Sequence, residues 1–130
     1  MPGPDQTAEP QYASYPSLVD RSVFVTGGAD GIGRAIVEQF THQGARVGFA
    51  DMNTAKGDAL VESLNATNPR HEPRFYDVDL TDIAALRTAL EQATTDLDGI
   101  TVLVNNAAND DRHGWEDMTP DYWDDRLNTN

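Results

Sequence analysis

The stretch from Val23 to Gly33, reading Val-Phe-Val-Thr-Gly-Gly-Ala-Asp-Gly-Ile-Gly, constrains this chain more than any other. An apolar run stops, glycines make a turn, and a helix begins. The first N–H groups of a helix lack intrahelical partners, and the helix dipole adds partial positive charge there. A phosphate therefore sits well at such a junction. Gly27 admits a backbone shape that a side chain forbids, Gly31 lets the main chain approach a pyrophosphate, and Gly33 lets helix pack closely on strand. Three glycines at this spacing also suit a plain strand-to-helix turn, so the residues that follow carry the decision.

Ile32, Ala35, Ile36 and Phe40 fall on one helical face, and Gly44 closes the helix. A second strand over 46–50 ends in Asp51, 18 residues after Gly33. A dinucleotide-binding fold carries its acidic residue about 20 residues on. Strand, glycine turn, helix, strand and carboxylate in this order read as a dinucleotide-binding unit. A carboxylate at Asp51 can accept from the ribose 2′- and 3′-hydroxyls of NAD, whereas a 2′-phosphate would meet like charge. No arginine or lysine stands next to Asp51 in sequence, and Asp30 adds a second negative charge, so NAD is favoured over NADP. The alternative for Asp51 is a solvated cap on the helix from Thr54.

The alternation continues to the end. Strands are expected at 22–26, 46–50, 73–78 and 100–105, and helices at 31–43, 54–67, 81–95 and from Thr119, behind a polar, proline-rich tail over 1–16. Thr119 suits an N-cap, Pro120 the first helical position and Asp121 the helix dipole. This pattern predicts an α/β fold over 17–130, a Rossmann-type doubly wound parallel sheet with strand order 3-2-1-4. Its fourth strand would be left as an open apolar edge, an aggregation hazard.

On these residues the chain resembles the short-chain dehydrogenase/reductase family. The likeness rests on Thr26-Gly27-(three residues)-Gly31-Ile32-Gly33 and on Asp51. It extends to Asp79-Leu80-Thr81-Asp82 after the third strand and Val104-Asn105-Asn106-Ala107-Ala108 after the fourth. The resemblance implies that Gly27, Gly31, Ile32 and Gly33 hold the pyrophosphate and Asp51 the ribose, with Asp30 beside them. It assigns Asp79, Leu80 and Asn106 to the adenosine end of the cofactor. Ala108 departs from the glycine of the family's pattern. Asn109 to His113, Thr119 to Trp123 and the lead-in Tyr15 to Leu18 resemble, more narrowly, the D-xylose 1-dehydrogenases and related aldose dehydrogenases. That likeness spans 15–130 and implies NAD-dependent oxidation of an aldose at C1 to a lactone, in a homo-oligomer.

The family's catalytic set is Asn, Ser, Tyr and Lys, the tyrosine acting as general acid/base beside a lysine four residues on. Asn130 matches the catalytic asparagine. Lys56 is the sole lysine, and none of Tyr12, Tyr15, Tyr76 or Tyr122 is followed by one at that spacing. Tyr122 is followed instead by Arg126, whose charge and shape differ. The chain has 130 residues, against roughly 250 for a complete enzyme of this kind. It reads as an N-terminal half, expected to be catalytically silent alone. The alternatives are a non-catalytic NAD-binding module, or another alcohol dehydrogenase or 3-oxoacyl reductase of the same family. A nucleotide-sugar epimerase or dehydratase would space its glycines two and two.

Twenty-two acidic against nine basic residues give a net charge of −13. That balance argues against nucleic acid and against an anionic membrane, since both need basic patches. The excess either keeps the protein soluble or marks adaptation to a high-salt cytoplasm, where screening removes self-repulsion. Without cysteine there is no disulfide or thiolate metal site, and His42, His71 and His113 lack ligand spacing for zinc. The absence of an apolar leader or spanning run leads to a cytoplasmic expectation. Two stretches keep two readings each. Asn109 to His113 either shapes a substrate pocket or forms a solvated loop. Trp115, Tyr122 and Trp123 are either a stacking platform or core and interface anchors.

Overall fold

A computed structural model describes residues 12–109, 111 and 114–130. The elements alternate as β1 (Ser22–Thr26), α1 (Gly31–His42), β2 (Arg46–Asp51), α2 (Thr54–Asn65), β3 (Arg74–Asp77), α3 (Ile83–Asp96), β4 (Val102–Val104) and α4 (Pro120–Thr129). The four strands form one parallel sheet in the order β3-β2-β1-β4, as the alternation predicts. Thr26 lies opposite Ala50, and Asp51 opposite Asp77, so the glycine turn and two acidic residues share one end of the sheet.

Helices cover both faces of the sheet. Val23, Val25, Val47 and Phe49 point to one side, where Val37 of α1 and Leu60 and Leu64 of α2 meet them. Phe24 and Ala50 point to the other, against Ala93 and Leu97 at the end of α3. Burial on both faces is why β1 reads as an unbroken apolar run rather than an alternating one. Each of the four helices begins with a capping side chain: Asp30, Asn53, Asp82 and Thr119 accept from amides of their own first turns. At the opposite end of the sheet, Asp20 accepts from Arg70 (2.8 and 3.0 Å) and lies 2.6 Å from the His71 ring nitrogen. Arg70 foremost, and then His71, hold the Asp20 carboxyl well below the usual carboxylate range.

Several expectations need correction. The buried face of α1 is Gly33, Val37 and Thr41, with Ile36 and Phe40 on its flank; Ile32 is 75% exposed. Hydrophobic count pointed the helix one position too early, because the close approach of Gly33 to the turn fixes its rotation. Asn53, not Asp51, caps α2. α3 starts at Ile83, since Asp82 is spent as its cap. β3 and β4 are shorter than expected because each has a single neighbour; β4 pairs only with Val23 to Val25. Of the tail placed over 1–16, residues 1–11 lie outside those described. Ala13 and Tyr15 bond to the Gln43 side chain at the end of α1 (both 2.8 Å). Among the described residues no helix is long and apolar enough to cross a membrane.

Candidate functional site

The carboxyl ends of the strands and the loops leaving them enclose a crevice of about 580 Å³. Open α/β sheets bind their ligands at this end. Gly27, Asp30, Asp51, Asp79, Leu80 and Asn106 line the crevice together, and Gly31, Ile32 and Gly33 follow Asp30 as the first turn of α1.

The turn is built by backbone bonds to β2. The amides of Gly27 and Gly28 donate to the Ala50 carbonyl (2.8 and 3.2 Å), and that of Ala29 donates to Asp51 Oδ2 (3.1 Å). Gly27 and Gly31 have φ of +68° and +55°, the left-handed region. A Cβ on Gly33 would lie 1.9 Å from the Gly27 carbonyl oxygen, so no side chain fits between helix and turn. Gly31 differs, since a Cβ there would meet nothing within 4 Å. Its bareness serves no internal packing and leaves space in front of the helix start. The amides of Ile32 and Gly33 find no acceptor among the described residues. Unpaired N–H groups at a helix N-terminus fit an anionic bridge.

Asp51 holds the second wall. Its Oδ2 takes the Ala29 amide and its Oδ1 the Asn53 amide (2.9 Å), so one carboxylate ties the glycine turn to the start of α2. A basic residue reaches the glycine turn from α2, although none stands next to Asp51 in sequence. Lys56 of α2 forms an ion pair with Asp30. Lys56 foremost, and then the Gly31 amide, draw the Asp30 carboxyl below its ordinary value.

Asp79 lies beyond β3, where Oδ1 accepts from the Thr81 hydroxyl (2.7 Å) and amide (2.9 Å). These bonds lower the pKa of Asp79 and keep it ionised. Asn106 Nδ2 donates to the carbonyls of Thr26 (3.2 Å) and Gly27 (3.0 Å), so it supports the turn from beneath. Thr26 is the residue that the motif reading underused. Its hydroxyl accepts from the amides of Asn106 (3.0 Å) and Ala107 (3.1 Å), joining the ends of β1 and β4. Asn130 does not line the crevice; it clasps the backbone of Asn109, taking its amide (2.6 Å) and giving to its carbonyl (3.2 Å). Arg126 also donates to that carbonyl (2.7 Å), with its guanidinium 4.8 Å from the Tyr122 ring centre. Within Asn109 to His113, Asp110, Arg112 and His113 lie outside the described residues, while Asn109 and Asp111 line the crevice. Trp115 and Trp123 are exposed.

The family model for short chain dehydrogenases matches residues 21–130. The chain belongs to this family. It is 44% identical over 118 residues to the probable galactose dehydrogenase GalD of Rhizobium meliloti, covering 91% of this chain and 46% of that protein. It is 40% identical over 118 residues to the D-xylose 1-dehydrogenase of Caulobacter vibrioides, covering 91% and 45%. A short chain dehydrogenase from Burkholderia cenocepacia, solved in complex with NADP, matches at TM-score 0.76 and 30% identity over 86% of this chain and 45% of that one. The chain thus spans less than half the length of each of these three proteins.

Proposed function

We propose that residues 17–130 form the cofactor-binding portion of a cytoplasmic, NAD-dependent sugar dehydrogenase, oxidising an aldose at C1 to a lactone. One juxtaposition carries this reading: bare helix-start amides at Ile32 and Gly33 stand beside a carboxylate, Asp51, at the tip of the adjacent strand. The pyrophosphate would lie on Gly27, Gly31, Ile32 and Gly33, the ribose hydroxyls on Asp51, and the adenine against Asp79 and Leu80. A bound nicotinamide supplies the hydride acceptor. This chain's own residues bind and orient. Asp51 rejects a 2′-phosphate by like charge, Asn106 holds the turn, and Asn130 fixes the strand-end loop at Asn109 where a proton relay would pass. The likeness to a galactose and a xylose dehydrogenase supports the sugar class. The complete enzyme would be a homo-oligomer, and the 130-residue chain alone would not turn over.

The test is titration of the intact protein with NAD⁺ and NADP⁺, followed by galactose and xylose oxidation monitored as NADH. NAD⁺ should bind more tightly than NADP⁺, and Asp51→Ala should weaken NAD⁺ binding at least about tenfold, the loss of two charge-assisted hydrogen bonds. Tight NAD⁺ binding that ignores Asp51→Ala would overturn the assignment of the ribose. Absence of aldose oxidation alongside turnover of another alcohol would overturn the sugar class alone.

A further inference from the structure

An aspartate followed by glycine is a chemically weak pair, because no side chain shields the glycine amide from the carboxyl beside it. The sequence holds two such pairs in the same triplet, Asp30-Gly31-Ile32 and Asp98-Gly99-Ile100. With the local sequence shared, the folded environment decides how each behaves. Space does not tell them apart, since an added Cβ would meet nothing within 4 Å at either glycine. Hydrogen bonding does. The Gly99 amide donates to the Thr94 carbonyl (2.8 Å) in the turn that closes α3. Gly31 opens α1, where the first amides have no carbonyl of their own helix to reach. Its N–H donates instead to Oδ1 of Asp30 (2.9 Å), so amide and carboxyl already face each other on an exposed turn.

We infer that Asp30–Gly31 is a site of backbone isomerisation to isoaspartate, and that the Lys56 ammonium is the lock that slows it. The Gly31 nitrogen adds to Cγ of the un-ionised Asp30 carboxyl; the carboxyl hydroxyl and the amide proton leave together as water, and a succinimide ring closes. Water then opens the ring. Addition at the side-chain carbonyl restores aspartate, whereas addition at the main-chain carbonyl leaves Gly31 attached through Cγ, with one extra carbon in the backbone. That carbon would lengthen the turn that Asn106 supports and deprive α1 of its cap.

An ionised carboxylate is a poor electrophile, so the step runs through the protonated fraction. Lys56 of α2 foremost, then the Gly31 amide, and Arg34 of α1 at longer range, favour the ionised form. The ion pair also holds the carboxylate toward α2. The Asp51 carboxylate on the neighbouring strand is occupied by the amides of Ala29 and Asn53.

The experiment ages the intact protein at mildly acidic pH, folded and in urea, and counts isoaspartate by methyltransferase labelling on the proteolytic peptides that carry each pair. In the folded protein, label at Asp30 should exceed that at Asp98 by at least about fivefold, the protection given by the backbone hydrogen bond that Gly99 keeps. In urea, where that bond is lost, the two should agree within about twofold. Lys56→Met should raise the folded rate at Asp30 about two- to threefold, the scale of one exposed ion pair, and Lys56→Arg should leave it near the wild type. Equal labelling of the two sites in the folded protein, or more at Asp98, overturns the site. An unmoved rate in Lys56→Met overturns the lock, as does a parallel rise at Asp98, which would mark a general loosening of the fold.

Discussion

Gly31 and Gly33 are two residues apart, yet the structure gives them opposite duties, and substitution by alanine should separate those duties. At Gly33 the added Cβ would stand 1.9 Å from the Gly27 oxygen and 2.5 Å from Asn106 Nδ2. Relief requires the helix to lift off the turn by about 1 Å, an overpacking cost of about 1–3 kcal/mol. The Cβ also crowds Asn106 Nδ2, and moving that amide aside breaks its two bonds to the turn, worth about 1 kcal/mol each. Alanine returns about 1 kcal/mol through its better helix propensity. Gly33→Ala should therefore lower the unfolding free energy by about 2–4 kcal/mol. At Gly31 the Cβ is unobstructed, and the cost is that of holding alanine in the left-handed region, about 1–2 kcal/mol. Binding should show the reverse bias, since that Cβ would stand in the open space at the helix start. Urea unfolding of each variant, paired with NAD⁺ titration, reads both quantities on one preparation. Gly31→Ala should keep most of the stability and lose at least about tenfold in affinity. Equal destabilisation by the two substitutions, or unchanged affinity in Gly31→Ala, would refute the division of labour.

Two further outcomes are expected. Because its folded pKa is depressed by Arg70 and His71, Asp20 contributes stability above its unfolded pKa that is lost as pH falls through the folded value. Asp20→Asn should therefore be less stable than the wild type at neutral pH but lose less on acidification below about pH 4, measured by thermal unfolding across pH; parallel acid profiles would contradict the pairing. With net charge −13, the melting temperature should rise from dilute buffer to molar KCl, where the screening length falls to about 3 Å; equal stability in the two would remove the high-salt interpretation.

The fold was legible because its signals are local. Glycines, caps and apolar runs lie within a few residues of one another, so the order of elements and the β3-β2-β1-β4 sheet could be read directly. The place of Asp51 at the end of β2 was legible for the same reason, standing at a set distance from the turn. The rotation of α1 was not, because the contact between Gly33 and a carbonyl outranks the count of apolar side chains on the helix. Lys56 was missed since its partner is 26 residues away, and only the packing of α2 beside α1 brings the charges together. Inspecting the neighbours of Asp51 in sequence cannot find a residue that a helix delivers from one turn further along. The support given by Thr26 to Asn106 crosses 80 residues and is likewise a product of strand order.

That last contact shapes how a ligand would be received. With the Thr26 hydroxyl joining two strand ends and Asn106 bracing the glycines, the floor of the crevice is already in its receiving shape. An arriving nucleotide would spend little of its association energy on organising this backbone. Adjustment would fall to side chains at the rim, so residence time there should respond to changes in rim charge more than to changes in the scaffold beneath.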